Sequence, residues 1–217
     1  MKAGKVRKKV LALLLAGTAI LGLTGGGTMQ VEAAGQENAY VDTSSYEQLY
    51  KLYEDYFKLG IACQAMDHWN DPTAEIGNQE KEELINRMFN SMTFGNELKP
   101  AYNFDASSEN LFKVDFAAEE MLEWAKENNM KVRGHVLVWH SQVDPSIFAI
   151  DYQAYADGKL TKSDTAKLDE ECLVDREELL ARLKRYIYGV LEYTYKNGYA
   201  DVIYAWDVVN EAADENQ

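Results

Sequence analysis

Short apolar runs alternate along the chain with longer stretches whose apolar residues recur every three or four positions, and this alternation restricts the fold more than any other feature. Leu59-Gly60-Ile61-Ala62-Cys63 suits a buried strand, and the loop around Asp71-Pro72 follows it. Residues 79–90 read as a helix with Leu84, Ile85, Met88 and Phe89 on one face. Phe94 to Lys99 reads as a second strand, punctuated by Pro100. A second helical stripe runs through Ala117, Met121, Trp124 and Ala125 and stops at Asn128-Asn129. Val132 to Trp139 is a third strand, and Asp144 to Asp175 reads as a long surface excursion. Asp175 and Glu178 then have capping-box spacing ahead of a helix carrying Leu179, Leu180, Leu183, Ile187, Val190 and Leu191, which stops at Asn197-Gly198. Val202 to Val209 is a fourth strand. Near the start, Ser44 lies three residues before Glu47 and predicts an opening helix through Leu49, Leu52, Tyr53, Tyr56 and Phe57. Such an α/β alternation requires a parallel sheet covered by helices, as an open doubly wound sheet or as a barrel.

The first nine residues hold five basic groups, Lys2, Lys5, Arg7, Lys8 and Lys9, and an apolar run from Val10 to Leu23 follows. With Val31-Glu32-Ala33 as a small-x-small cleavage site, residues 1–33 read as a secretory signal peptide and residues 34–217 as the mature chain. The apolar run is short for a bilayer of ~30 Å, so no stable membrane association is expected once it is removed. The expected location is secreted, extracellular.

The whole chain carries 36 acidic against 22 basic residues, a net charge of −14. Loss of the basic leader makes the remainder more acidic still. A field of that sign repels a phosphate backbone and leaves a neutral polymer unaffected, so nucleic acid is excluded as a partner. Only Cys63 and Cys172 are present, which leaves one bridge or two free thiols and no disulfide framework. No strand runs into a glycine-rich phosphate loop, and no metal-ligand spacing connects His68, His135 and His140, so neither a cofactor nor a metal is implied.

Chemistry in parallel α/β folds collects at the carboxyl ends of the strands, and three successive ends here are dense in polar groups. They are Gly95-Asn96-Glu97-Leu98-Lys99, then His135 through Gln142, then Trp206-Asp207-Val208-Val209-Asn210-Glu211. A regular third strand puts His135, Leu137 and Trp139 on one face. A carboxyl group among Trp side chains suits proton donation to a glycosidic oxygen, while Asn, Lys, His and Gln suit sugar hydroxyls and an indole suits the apolar face of a sugar ring. Each element taken singly is equally compatible with a solvated loop Glu, a core His or a core Trp. Their joint placement at three strand ends favours hydrolysis of a sugar polymer.

Three ordered motifs carry a resemblance: residues 89–100 (Phe-Asn-Ser-Met-Thr-Phe-Gly-Asn-Glu-Leu-Lys-Pro), residues 134–142 (Gly-His-Val-Leu-Val-Trp-His-Ser-Gln) and residues 206–212 (Trp-Asp-Val-Val-Asn-Glu-Ala). Together they resemble glycoside hydrolase family 10, the endo-1,4-β-xylanases of the TIM-barrel clan. The resemblance implies a TIM (β/α)8 barrel, here ending after about the fourth strand, and xylan or xylooligosaccharides as substrate. It implies that Glu211 is the general acid/base and that Asn210 hydrogen-bonds the 2-hydroxyl of the sugar being cleaved. Asn96 and Lys99 resemble contacts to sugars on the nonreducing side, and His135, Trp139 and Gln142 resemble the walls around the scissile sugar. Retention of stereochemistry then requires a second carboxylate ~5 to 5.5 Å away as nucleophile.

Three departures accompany the resemblance. Gly95 stands where the family commonly has a substrate-binding Glu, so that contact is lost or supplied by Glu97 or another group. The turn from Val143 to Phe148 differs from the family's. No residue matches the family's strand-seven nucleophile, and none is assigned; the expectation is an amino-terminal half of the catalytic domain, inactive alone. Two other readings remain compatible with the motifs: a β-1,4-glucanase or mannanase of the same clan, and a non-catalytic xylan-binding half-barrel.

Overall fold

A computed structural model describes residues 44–65, 71–160, 168 and 170–213. The expected leader at residues 1–33 and His68 lie outside the described residues. Four strands, β1 (Gly60–Cys63), β2 (Ser91–Phe94), β3 (Lys131–Gly134) and β4 (Ile203–Trp206), form one parallel sheet in the order β1-β2-β3-β4. Helix α1 (Gln79–Met88) connects β1 to β2, α3 (Phe116–Glu127) connects β2 to β3, and α5 (Arg176–Lys196) connects β3 to β4. Two short helices, α2 (Pro100–Asn103) and α4 (Tyr152–Ala156), lie in the loops after β2 and β3. Strand order follows chain order without reversal. The sheet is therefore singly wound, as in a barrel, because a doubly wound sheet needs a switch in strand order.

The three connecting helices begin where a short acceptor side chain satisfies a free backbone N–H. Asn78 Oδ1 accepts from the Lys81 N–H at 3.2 Å, Asp115 Oδ1 from Ala117 at 3.0 Å, and Asp175 Oδ1 from Glu178 at 2.8 Å. Helix α5 ends at Asn197, followed by Gly198 in the left-handed region at φ 73°, where glycine carries no side-chain penalty.

One face of the sheet is buried beneath helices. Cys63, Met92, Phe94 and Val132 pack with Ala117, Ala118, Met121, Leu122 and Ala125, the small residues of α3 allowing close approach to the strands. The opposite face, with Ala62, Thr93, Arg133 and Ala205, is exposed or half-buried. Burial, helped by the charges of Glu75 and Glu97, pushes the Cys63 thiol up to about 12, so it behaves as a small apolar core residue. Cys63 and Cys172 are both free, which settles the choice left open by the sequence.

A second core joins Phe104, Leu111, Phe112, Leu137, Ile147, Tyr186 and Val190. It anchors part of the excursion after β3. The buried Arg182 guanidinium of α5 donates to the carbonyls of Ile147 and Ala149 at 3.0 and 2.7 Å, and to Glu178 at 2.7 Å. Ser146, Ile147 and Ala149 are accordingly buried, so the excursion is only partly a surface feature.

Several sequence expectations need correction. The opening helix is a single 3-10 turn, Leu49–Leu52; Tyr56 and Phe57 are exposed at 82% and 53%, and no core lies beneath them to hold a longer helix. The second strand occupies Ser91–Phe94 rather than Phe94 to Lys99, because the chain turns at Gly95 to bury the Glu97 carboxylate. Pro100 opens α2 instead of merely ending a strand, consistent with its fixed φ at the first helical position. The third strand stops at Gly134, and the fourth at Trp206, with one further bridge between Val138 and Val209. On α5 the buried face is Arg182, Tyr186, Gly189, Val190 and Thr194, whereas Leu180 and Leu191 are exposed. In α1 only Ile85 of the expected face is fully buried, and Leu84 is exposed.

Gly134 explains how β3 and β4 meet at their ends. A Cβ built there lies 2.3 Å from Cε3 of Trp206, so the indole rests directly on the glycine backbone. No larger residue fits without moving the ring that precedes Asp207.

Candidate active site

The strand-end residues are held mostly by backbone bonds that continue the sheet after the strands stop. The Gly95 N–H donates to the Cys63 carbonyl at 2.8 Å, Leu137 to Asp207 at 3.1 Å, Asp207 to Gly134 at 2.9 Å, and Asn210 to Val138 at 2.9 Å. The ends of β1 to β4 therefore stay in register, and their polar side chains gather on one edge.

Asn96, Lys99 and Gln142 form a closed triangle. Lys99 Nζ donates to Asn96 Oδ1 at 2.9 Å and to Gln142 Oε1 at 2.6 Å, and Gln142 Nε2 donates to Asn96 Oδ1 at 3.1 Å. Lys99 is 7% exposed; burial pulls its ammonium below the usual lysine range, opposed by the Glu97 carboxylate nearby. The triangle fixes the orientation of both amides, since a lysine only donates and each carbonyl oxygen must face it.

Trp139 links the triangle to Glu211. Lys99 Nζ sits 5.1 Å from the Trp139 ring centroid, a cation–π distance, and Trp139 Nε1 donates to Glu211 Oε2 at 2.6 Å. His140 Nε2 is 3.7 Å from the same carboxylate oxygen. Glu211 itself is half-exposed. Gln142 and Glu211 both adopt positive φ, 42° and 52°, a conformation that costs a side-chain-bearing residue about 1–3 kcal/mol and collects at functional sites.

His135 belongs to a neighbouring group rather than to the triangle. Its Nδ1 lies 2.9 Å from Asp207 Oδ2, while Arg133 bonds the other oxygen through Nε at 2.9 Å and Nη2 at 2.7 Å. The expected common face for His135, Leu137 and Trp139 is not formed. The strand ends at Gly134, and Leu137 turns into the second core at 5% exposure. Asn210 lines a cavity of about 420 Å³ together with Trp139, His140 and Glu211, whose remaining wall is apolar, including Phe104, Leu137 and Tyr186.

Glu97, offered by the sequence as a substitute sugar contact beside Gly95, is not available for one. It is fully buried, with Oε1 accepting from the Ala65 N–H at 3.0 Å and Oε2 from the Asn96 N–H at 2.9 Å. It ties the end of β1 to the end of β2 and holds the backbone of Asn96. The buried Asn103 amide adds to this by donating to the carbonyls of Glu97 and Lys99 at 2.6 and 3.0 Å. Neither role was drawn from the sequence, nor were those of Asp207, Arg133 and His140 next to the expected residues. The one available signal was the density of hydrogen-bonding residues between Gly95 and Asn103.

Known proteins resemble this chain in sequence and in fold. The family model described as glycosyl hydrolase family 10 matches residues 48–217. Endo-1,4-beta-xylanase B of Butyrivibrio fibrisolvens is 36% identical over 172 residues, covering 75% of this chain and 23% of that protein. A beta-1,4-xylanase of Dictyoglomus thermophilum is 30% identical over 211 residues, covering 97% of this chain and 44% of its own length. Among solved structures, a mutant of the intracellular xylanase TsXylA of Thermoanaerobacterium saccharolyticum in complex with xylotetraose superposes with a TM-score of 0.59 at 30% identity, covering 79% of this chain and 45% of that one. The chain thus spans less than half the length of these relatives, and its sheet corresponds to the first strands of a TIM (β/α)8 barrel. With a family model matched over most of its length, this chain belongs to glycosyl hydrolase family 10.

Proposed function

We propose that the protein is an endo-1,4-β-xylanase, hydrolysing internal β-1,4-xylosidic bonds of xylan with retention of stereochemistry. The observation that carries this is the continuous path from the Asn96–Lys99–Gln142 triangle through Trp139 to Glu211, in a family whose compared members are named xylanases. Glu211 acts as general acid, giving its proton to the leaving glycosidic oxygen, and then as general base, taking one from the attacking water. The Trp139 indole can only donate, so its bond occupies Oε2 as an acceptor. Oε1 is then the oxygen that meets the glycosidic bond.

Asn210 bonds the 2-hydroxyl of the sugar being cleaved, and Asn96 and Lys99 bind sugars on the nonreducing side. Trp139, Gln142 and His135 wall the scissile sugar. Double displacement needs a second carboxylate ~5 to 5.5 Å from the first, and we place it beyond the four strands described. The acidic surface, at −14 overall, suits a neutral polysaccharide, and the leader-like residues 1–33 support action outside the cell.

Initial rates of the full-length protein on xylan, mannan and carboxymethylcellulose test the reading. Xylan is expected to be cleaved fastest; preferred cleavage of mannan or carboxymethylcellulose overturns the substrate assignment. Binding of xylooligosaccharides without turnover supports the non-catalytic alternative.

A further inference from the structure

The strand after which no sugar-binding residue has been assigned is β1, and the residue at its end is Gln64. Its backbone is fixed on both sides: the N–H donates to Glu75 Oε2 at 3.1 Å, and the carbonyl accepts from Glu75 and Ile76 at 3.2 and 3.0 Å. Cys63 points into the helix-covered core, so the alternation along the strand sends Gln64 to the open face. There it lies across Gly95. A Cβ at that glycine would stand 2.8 Å from Gln64 Cγ and 3.3 Å from both Cδ and Nε2, so the absent side chain is what gives Gln64 its place. Among the described residues its amide makes no hydrogen bond, and it is half-buried.

We propose that Gln64 is a substrate-contacting residue at the end of the cleft farthest from Glu211, and that Gly95 determines specificity there by leaving it room. The proposal rests on the xylanase reading above. Along the sheet order, Glu211 stands at β4, Trp139 and Gln142 at β3, Asn96 and Lys99 at β2, and Gln64 at β1. Neighbouring strands are ~4.8 Å apart, so a polysaccharide lying across the strand ends meets Gln64 beyond the sugar held by Asn96 and Lys99. An amide donates and accepts at once, which fits adjacent hydroxyls on one xylose, and it does so without a charge that titrates.

The test is the length dependence of hydrolysis by the full-length protein. Gln64→Ala is expected to raise KM about 2–10-fold on xylohexaose, the equivalent of one neutral hydrogen bond, with a smaller change on an aryl xylobioside and little change in kcat. Gly95→Ala, whose methyl group pushes against Gln64, is expected to raise the same KM, and to add nothing further in the Gln64→Ala background. An unchanged xylohexaose KM in Gln64→Ala, or full additivity of the two substitutions, overturns the proposal. A wild-type protein inactive on every xylooligosaccharide overturns the xylanase reading itself, a different result from an active enzyme indifferent to position 64.

Discussion

Replacing Glu211 by Ala is expected to lower kcat on xylan about 10²–10⁴-fold in the full-length protein, the usual contribution of a positioned general acid/base. That corresponds to about 3–5 kcal/mol of barrier. The loss depends on the leaving group. The dinitrophenolate of a dinitrophenyl glycoside departs without a proton, so the glycosylation step of that substrate is expected to suffer far less than that of xylan, while the later water attack stays slow for want of a base. Burst kinetics read the two steps separately. Equal losses on both substrates, or an undiminished rate on xylan, would assign the acid/base role elsewhere. Among the described strand-end carboxylates, Glu211 alone combines half-exposure with the Trp139 bond; Asp207 is engaged by Arg133 and His135, and Glu97 is buried.

The second large effect is expected at Glu97, and it is chiefly a loss of stability. Glu97→Ala removes acceptors from the Ala65 and Asn96 N–H groups in a site with no measurable exposure. Each donor left unpaired in the interior costs about 1–3 kcal/mol, so about 2–6 kcal/mol is expected for the two, read as a drop in the denaturant midpoint. A loss below about 1 kcal/mol would mean that water replaces the carboxylate without penalty. Any residual activity is expected to show a raised KM, because Asn96 is no longer held in the triangle with Lys99 and Gln142.

The long helices were legible in the sequence because their signals are local. Asp175 caps where its spacing with Glu178 says it should, and Asn128 and Asn197-Gly198 end what they were expected to end. Strand positions were less legible. A run such as Met92-Thr93-Phe94 continues into Gly95-Asn96-Glu97 without a break in the text, yet the chain turns there because the Glu97 carboxylate bonds backbone N–H groups of both strand ends. Likewise Leu137 alternates with His135 and Trp139 on paper, but it follows the second core once the ladder stops at Gly134.

The site shows the same division. Asn96, Lys99, Trp139, Gln142 and Glu211 are brought together as the motifs imply, because each lies within a few residues of a strand end and the parallel sheet aligns those ends. What the motifs do not contain is the partnership among side chains from different strands. The Arg133–Asp207–His135 group and the fit of Gln64 over Gly95 both depend on residues 31 or more positions apart, and no local pattern records such a pairing.

We propose that the strand-end row is the xylan-cleaving cleft, and a crystal structure of the full-length Glu211→Ala protein with xylohexaose shows whether sugar binds there. The sugar chain is expected to run across Asn96, Lys99 and Gln142, with Trp139 against one ring and a glycosidic oxygen above position 211. A hexasaccharide seated away from that row, or lying across it with no glycosidic oxygen near position 211, would contradict the account.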